Sequence, residues 1–305
     1  MTECERIIEQ GILPESFFNE EERCGFIVTK EMKKIWAVAL DQLIEFDRVC
    51  KKYNLKYFLA YGSLLGAIRH KGFIPWDDDM DVLMLREDYD KLLKLGDEFQ
   101  YPYFLQTPYS DPGYFFSYAK LRNTNTTCIT TQFRYQKINW GQNFDIFPLD
   151  NIAVDGGKEL YEKIAVLGTD LSNYMRSSNP NPPSELEKQR IKSYSGRNPM
   201  DIYEEIQELG QSFKDNTGLI AVTTAYLYGF DKAVFRKEDF SETIEVPFEV
   251  ITAKVPIGYD KILTKIYGKW TEYPPVEKRG VWHGNIIYNP DIPYIEEQKK
   301  VGIIY

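Results

Sequence analysis

The 305-residue chain has few of the residues on which zinc sites and disulfide scaffolds depend. It contains two histidines and four cysteines, and no two cysteines have the C-x-x-C spacing. Because structural zinc sites and disulfide frameworks need such clusters, we expect neither in this protein. The cysteine usage is instead typical of a protein from a reducing cytoplasm.

Long apolar runs and an excess of positive charge are also missing. No stretch approaches the ~20 apolar residues of a membrane-spanning helix, and residues 1–10 are acidic where a signal peptide needs a basic start. The net charge of -9 argues against broad binding to nucleic acid, which needs a basic surface. We therefore expect a soluble, cytoplasmic protein in which any phosphate-binding site is local.

The hydrophobic content of 43% is enough to build a full core, as one large domain or two. Changes in pattern along the chain predict four segments. Residues 1–28 form an N-terminal extension lying on the core, and residues 29–155 form the core itself. Residues 156–235 are polar and helix-rich, which predicts a helical subdomain, and residues 236–305 return to pack on the core.

The spacing of apolar residues predicts alternating strands and helices in the first half of the chain, which indicates an α/β (α+β) fold. The predicted elements are, in order, a helix over 29–54, a strand over 55–60, a helix over 64–69, a strand over 80–85, a helix over 86–99, a strand carrying 119–122 and a strand over 143–150. Near the C-terminus we predict a strand over 248–256 and a helix over 259–267 that Gly268 ends.

Four carboxylates crowd into five positions of the sequence, at Asp77, Asp78, Asp79 and Asp81. Carboxylates this close raise one another's pKa unless a cation lies among them. Alternate side chains of a strand share a face, so Asp79 and Asp81 would point the same way, with Cα atoms about 6.6 Å apart. Oxygen ligands select Mg²⁺ or Mn²⁺ over Zn²⁺, so the cluster predicts such a metal site. A solvated acidic loop is the simpler alternative.

A Gly-Ser pair lies just upstream, between a predicted strand and a predicted helix. We expect Ser63 to cap that helix, and we expect the helix N-terminus and the turn at Gly62 to form a phosphate site. A plain turn is the alternative. The same short helix ends in three basic residues, Arg69, His70 and Lys71.

Two further strands carry charged residues. Lys120 and Arg122 share one strand face and could clamp a diphosphate, although an edge strand protected by charge is the alternative. Asp145 lies in an apolar strand that Pro148 is expected to stop. Since a charge there is costly unless it is paired, we assign Asp145 as the third carboxylate of the metal site. Asp150 is expected to cap the following turn.

Residues 62–81, GSLLGAIRHKGFIPWDDDMD, resemble the signature of the LicD family, which includes bacterial phosphocholine transferases and, more distantly, fukutin-type ribitol-phosphate transferases. The stretches 120–122, 144–150 and 267–279 also resemble family blocks, and the resemblance extends from about Glu31 to His283. It implies a nucleotidyltransferase-like fold with a mixed sheet, in which residues 29–155 form the catalytic core.

The resemblance also implies a transferase that moves a substituted phosphate from a CDP-linked donor to a hydroxyl of a glycan or glycolipid and releases CMP. Mg²⁺ or Mn²⁺, held by Asp79, Asp81 and Asp145, would neutralise the donor diphosphate. Asp145 or Asp77 would take the hydroxyl proton. The candidate substrate-binding residues are Gly62, Ser63, Arg69, His70, Lys71, Trp76, Lys120, Arg122, Trp140 and His283.

The transferred phosphate could carry choline, ribitol or glycerol. The resemblance implies phosphocholine from CDP-choline first, since the bacterial members of the family transfer it, and Trp76 and Trp140 are candidates to face its quaternary ammonium. The acceptor, such as lipopolysaccharide or teichoic acid, would be reached inside the cell, with peripheral contact at the membrane face. Ribitol or glycerol phosphate, a true nucleotidyltransferase that releases pyrophosphate, and a non-catalytic binding protein stay open as alternatives.

Overall fold

The structure, a computed structural model, describes residues 1–214, 217–224, 229–280 and 285–303. The helices are α1 Glu3–Glu9, α2 Lys30–Lys52, α3 Tyr61–His70, α4 Arg86–Leu92, α5 Gly157–Ser177, α6 Glu185–Lys192, α7 Pro199–Gly210, α8 Phe230–Ala233, α9 Tyr259–Tyr267 and α10 Tyr294–Lys299. Within the described ranges, no helix combines the length and the apolar character needed to cross a lipid bilayer.

Thirteen strands are described. They are β1 Glu21–Arg23, β2 Phe26–Val28, β3 Phe58–Leu59, β4 Asp81–Leu85, β5 Tyr103–Gln106, β6 Ala119–Asn123, β7 Thr127–Thr130, β8 Gln142–Asn151, β9 Leu219–Ala221, β10 Val234–Arg236, β11 Thr243–Phe248, β12 Ile251–Pro256 and β13 Ile286–Asn289. Seven of them form the main sheet, in the order β10-β9-β8-β4-β3, with β6 also paired to β8 and β5 paired to β6. Strands β4 and β8 are parallel and β6 and β8 antiparallel, so the sheet is mixed and the predicted α/β (α+β) class is confirmed.

Helix α2 is the main support of the sheet, and it confirms the predicted helix over 29–54. Thr29 caps it, because its side chain accepts a hydrogen bond from the Met32 amide at 3.2 Å. Its apolar face is fully buried in the core. Gln42 donates from Nε2 to the carbonyl oxygens of Leu121 (2.8 Å) and Gln142 (2.9 Å), which ties α2 to β6 and β8.

The N-terminal extension contributes Ile7, Leu13, Phe17 and Val28 to the core. The helix α1, which Thr2 and Glu5 start with a capping box, and the β1-β2 hairpin within it were not predicted. Two other predicted elements are shorter in the structure: β3 covers two residues of the strand expected over 55–60, and α4 ends at Leu92 instead of Phe99.

The expected position of Ser63 as a helix cap is wrong. Helix α3 begins at Tyr61 with Ala60 as its N-cap, so Gly62 and Ser63 lie inside its first turn. The Ser63 hydroxyl accepts a hydrogen bond from the amide of Asp81 at 2.9 Å. Ser63 therefore fixes the start of β4 against α3.

Pro148 does not stop β8, which continues to Asn151. Strand β6 pairs with residues 142–146 of β8 and β9 pairs with residues 150–151, so Pro148 lies in the gap between these two neighbours. A proline in that gap removes no ladder hydrogen bond to either of them.

Asp150 does not cap a turn but is fully buried at the end of β8. It accepts hydrogen bonds from Arg86 Nε (2.6 Å), Arg86 Nη2 (3.1 Å) and the Thr223 hydroxyl (2.6 Å). The Asp150 carboxylate therefore joins helix α4 and Thr223 to the central strand β8.

The stretch expected to be a helical subdomain contains α5, α6 and α7. Helices α5 and α7 pack on a second apolar cluster around Phe133 and Trp140, and α6 contacts α5. The same stretch also supplies β9 and β10 to the edge of the main sheet. Near the C-terminus, β11 and β12 form a hairpin where one strand was predicted, and α9 is followed by Gly268 at φ 69°, as predicted. Strand β13 returns to pair with β7.

The C-terminal end of α3 is fixed by Arg69 and His70. Arg69 donates from Nε to His70 Nε2 (3.0 Å) and from Nη1 to the carbonyl oxygens of Trp270 (2.8 Å) and Glu272 (3.0 Å). Because Nε2 accepts a hydrogen bond, the ring is neutral. Burial, and then the charge of Arg69, lowers the pKa of His70 to about 4.

Replacing Arg86 with Met should remove the charge partner of Asp150 and leave a buried carboxylate uncompensated. We expect the free energy of unfolding to fall by about 3–5 kcal/mol, measured by chemical denaturation. Arg48→Met is the matched control, because Arg48 forms a more exposed pair with Glu45 on α2 and should cost at most ~1 kcal/mol. Equal losses in the two variants would contradict this prediction.

The lowered pKa of His70 makes part of the stability depend on pH. The unfolded chain binds a proton near pH 6.5 but the folded protein only near pH 4, so stability should fall as pH drops between these values. After discounting for solvent at a half-buried ring, we expect His70 to account for roughly 1–2 kcal/mol. Denaturation midpoints should fall more steeply for the wild type than for His70→Gln, and parallel pH profiles would count against this explanation.

Candidate functional site

The candidate site lies where β4 and β8 run side by side. Asp81 begins β4 and is the register partner of Asp145 on β8. The Asp145 amide donates to the carbonyl oxygen of Met80 at 3.1 Å, which extends the pairing one residue toward Asp79. The two strands therefore bring together carboxylates that are separated by 64 positions in the sequence.

Two cavities meet at these carboxylates. The smaller cavity, of about 340 Å³, and the larger cavity, of about 680 Å³, are both lined by Asp79, Asp81, Phe116, Tyr118 and Asp145. The smaller cavity is completed by β6, β7 and β13, and the larger one by helices α5 and α6. The three predicted metal-site carboxylates thus share one cleft with an opening on either side.

The crowding of like charge has the expected electrostatic effect. Burial, and then the charges of Asp79 and Asp145, raise the pKa of Asp81 well above its ordinary value. Burial and the same Asp145 carboxylate raise the pKa of Tyr118, which stays a neutral phenol. A cation bound among the carboxylates would remove the repulsion, so the chemistry of this donor set fits Mg²⁺ or Mn²⁺.

Asp145 already has a cationic partner. Lys120, its antiparallel register partner on β6, forms an ion pair with Asp145 Oδ1, and Asn143 donates from Nδ2 to the same oxygen at 2.6 Å. In the described part of the chain, no group of three or more His, Cys, Asp or Glu side chains is arranged to hold a metal ion. Metal binding by all three carboxylates would therefore require Asp145 to share or exchange its contact with Lys120.

Arg122 is nearly fully buried, and its donors are used inside the protein. It donates from Nε to Gln106 Oε1 (2.7 Å) and from Nη1 to the carbonyl oxygen of Gly141 (2.8 Å) and to Asn143 Oδ1 (2.6 Å). Its guanidinium also lies 5.3 Å from the centre of the Trp140 ring. Arg122 and Trp140 line the smaller cavity, and Arg122 mainly holds Asn143 toward Asp145.

Gly62 and Ser63 are not among the residues that line the two cavities. A Cβ atom on Gly62 would lie 2.5 Å from Asp77 Oδ2, so the glycine leaves room for the Asp77 carboxylate against α3. Asp77 is also outside the lining of both cavities, although its charge contributes to the raised pKa of Asp81. The predicted phosphate site at this turn stays a prediction.

The structure does not bring the other predicted contacts to the cleft. Arg69, His70, Lys71 and Trp76 line neither cavity. Trp76 is buried against Phe26 and His70, with the Arg279 guanidinium 5.3 Å from its ring centre. The short basic helix end therefore serves the packing of α3. His283 lies outside the described residues.

Several residues that line the two cavities were not predicted from the sequence. Phe116 and Tyr118 separate the two cavities, and the Lys120 ammonium lies 5.1 Å and 5.2 Å from their ring centres. Asn285 and Tyr288 come from the C-terminal segment through the β7-β13 pairing. The aromatic run 114–118 is visible in the sequence, but it has no periodicity that would assign it to a cleft.

Several known proteins are similar to this chain in sequence. The lipopolysaccharide cholinephosphotransferase LicD of Haemophilus influenzae is 25% identical over 259 residues, which is 81% of this chain and 93% of the relative. Shorter matches occur in an uncharacterized protein of Rickettsia prowazekii, 40% identical over 21% of this chain and 24% of that protein, and in one of Caenorhabditis elegans, 43% identical over 17% and 14%.

Residues 54–155 match the family described as the LicD/FKTN/FKRP nucleotidyltransferase domain. This range contains α3, β4 and all of β8, and with them Asp79, Asp81 and Asp145. The part of the chain that holds Asp79, Asp81 and Asp145 is therefore similar to the nucleotidyltransferase domain of the LicD family.

Proposed function

We propose that this protein is a transferase that moves phosphocholine from CDP-choline to a hydroxyl of a glycan or glycolipid and releases CMP. The observation that carries the proposal is the position of Asp79, Asp81 and Asp145 at the junction of two cavities. A transferase with two substrates needs such a junction, because the donor phosphorus and the acceptor oxygen must meet. Phosphocholine is proposed as the transferred group because the Haemophilus influenzae relative is named a cholinephosphotransferase.

The smaller cavity suits the donor. It contains Lys120 and Arg122, whose charges favour a diphosphate. Phe116 and Tyr118 also line this cavity, and their rings suit a quaternary ammonium through cation-π attraction. This pair replaces Trp76 as the candidate choline contact. Ribitol or glycerol phosphate has no cation to place there.

In the proposed reaction, the acceptor hydroxyl oxygen attacks the distal phosphorus of the donor, and the bond from that phosphorus to the CMP oxygen breaks. The hydroxyl proton passes to a carboxylate. Of the two candidates, Asp145 lines both cavities and Asp77 lines neither, so Asp145 is the better placed base. Lys120 and Asn143 orient the Asp145 carboxylate through their contacts with Oδ1.

Asp79, Asp81 and Asp145 would hold Mg²⁺ or Mn²⁺. When bound, the cation would neutralise charge on the diphosphate and on the departing CMP oxygen. Without it, those carboxylates of the cluster that are ionised would repel the anionic donor.

A second candidate function is supported by the description of the matched family as a nucleotidyltransferase domain. Such an enzyme would use the same carboxylates but attack the α-phosphorus of a nucleoside triphosphate. The two reactions differ in the leaving group. The transferase releases CMP and the nucleotidyltransferase releases pyrophosphate.

The proposal predicts CMP release from CDP-choline with Mg²⁺ and a glycan acceptor, and no pyrophosphate release when CTP replaces the donor. Chromatography of the nucleotide products and a coupled pyrophosphate assay measure the two outcomes on the same protein. CDP-ribitol and CDP-glycerol, tested in parallel, report on the transferred group. Pyrophosphate from CTP, with no CMP from any of the three donors, would favour the second candidate.

Replacing Asp81 with Asn should remove a metal ligand while relieving like-charge repulsion. We expect turnover to fall at least about a hundredfold, because a metal supplies several kcal/mol of charge stabilisation, with unfolding stability unchanged or higher. Calorimetric titration should show Mn²⁺ bound by the wild type and bound much more weakly by Asp81→Asn.

The matched control is Asp155→Asn, since Asp155 is exposed and lines neither cavity. It should keep both turnover and Mn²⁺ binding. An Asp81→Asn variant that turns over at the wild-type rate would remove the basis for metal-assisted transfer. A wild-type protein that binds no Mn²⁺ would favour a non-catalytic role.

A further inference from the structure

The wall that helices α5 and α6 contribute to the larger cavity has a charge opposite to that of the sheet wall. Its ionisable lining residues are Arg176 and Arg190, whereas the sheet side presents Asp79, Asp81 and Asp145. A single cavity therefore has a basic wall and an acidic wall. The basic wall is not needed to bind a metal ion, so it calls for a separate explanation.

The two arginines share one carboxylate. Arg176 Nε lies 3.2 Å from Glu187 Oε2, and Arg190 Nη1 donates to Glu187 Oε1 at 2.8 Å. The Arg176 side chain is only 11% exposed; its Nε is held by the ion pair with Glu187, and its Nη1 donates to the Ser172 hydroxyl. Burial lowers the pKa of Arg176; the Glu187 carboxylate opposes this shift, and the charge of Arg190 adds to it, so two guanidiniums share one carboxylate. One anion close to both guanidiniums would relieve the excess positive charge.

Uncharged polar groups surround the pair. Thr169, Ser172, Asn173 and Ser193 line the same wall, and Asn173 donates from Nδ2 to the Ser193 hydroxyl at 3.0 Å. Hydroxyl and amide groups at a cavity wall are suited to hydrogen bonds with sugar hydroxyls. The wall therefore combines contacts for a sugar with contacts for an anion.

We propose that the larger cavity binds the acceptor, and that Arg176 and Arg190 recognise an anionic group, a phosphate or a carboxylate, carried by the acceptor sugar. This inference rests on the proposed transferase function and names the class of its acceptor. An anionic acceptor would be repelled by the carboxylates of the sheet wall. The arginines offset this repulsion and orient the molecule, so that an uncharged hydroxyl faces the carboxylates.

Binding of defined sugars tests this acceptor class. Calorimetry or ligand-observed NMR compares glucose 6-phosphate and glucuronic acid with neutral methyl glucoside, and the two charged probes separate phosphate from carboxylate recognition. We expect at least one charged sugar to bind the wild type about tenfold more tightly than methyl glucoside. Arg190→Gln and Arg176→Gln should abolish that preference while leaving affinity for CDP-choline unchanged.

Arg197→Gln is the matched control. Arg197 lies in the same segment and pairs with Glu205, but it does not line the cavity, so this variant should keep the preference. Because the Arg190 side chain is 43% exposed, we expect Arg190→Gln to fold. It therefore tests recognition of the anionic group even if Arg176→Gln does not fold.

Three results would overturn the assignment: equal binding of charged and neutral sugars, loss of the preference in Arg197→Gln, or weaker CDP-choline binding in the folded arginine variants. Failure of the transferase proposal is a separate result, because it appears as absence of CMP release from CDP-choline by the wild type. Sugar binding is measured without any donor and is read independently of that outcome.

Discussion

The parallel pairing of β4 with β8 is the interaction on which the site depends. It places Asp81 beside Asp145, while the antiparallel pairing of β6 on the same strand places Lys120 beside Asp145 as well. The Ser63 hydroxyl, which accepts from the Asp81 amide, holds the start of β4 in this register. A shift of one residue would turn the carboxylates to the opposite face of the sheet. Backbone pairing therefore fixes which charges meet.

This arrangement concentrates negative charge that the protein compensates only in part. Lys120 neutralises Asp145, while Asp81 stays among like charges with its pKa raised. Lys120 itself is buried, and this burial lowers its pKa despite the pair with Asp145. Replacing buried ion pairs with apolar residues is often neutral or stabilising, so stability alone does not explain such a cluster. Strongly perturbed carboxylates in a cleft are instead typical of catalytic and binding sites.

The sequence predicts the parts of the site that depend on local patterns. The D-x-D spacing and the acid within an apolar strand predict Asp79, Asp81 and Asp145 in one cleft. The pattern does not extend to partners that are distant along the chain: Asp150 contacts Arg86 and Thr223, at separations of 64 and 73 residues. The role of Ser63 was missed for the same reason. A serine after glycine is typical of a helix cap, and only the contact with Asp81, 18 residues away, shows another use.

Helices α5 and α7 connect both cavities to one apolar cluster. Phe133 and Trp140 line the smaller cavity and Met175 lines the larger one, and all three are buried in the cluster on which α5 and α7 pack. The Arg176 guanidinium lies 5.0 Å from the centre of the Phe133 ring, so the basic wall of one cavity rests on a lining residue of the other. Because protein interiors are close-packed and transmit displacement, a shift of α5 in one cavity would be felt in the other. Residues 156–235 therefore form part of the cleft and are not only an addition to the sheet.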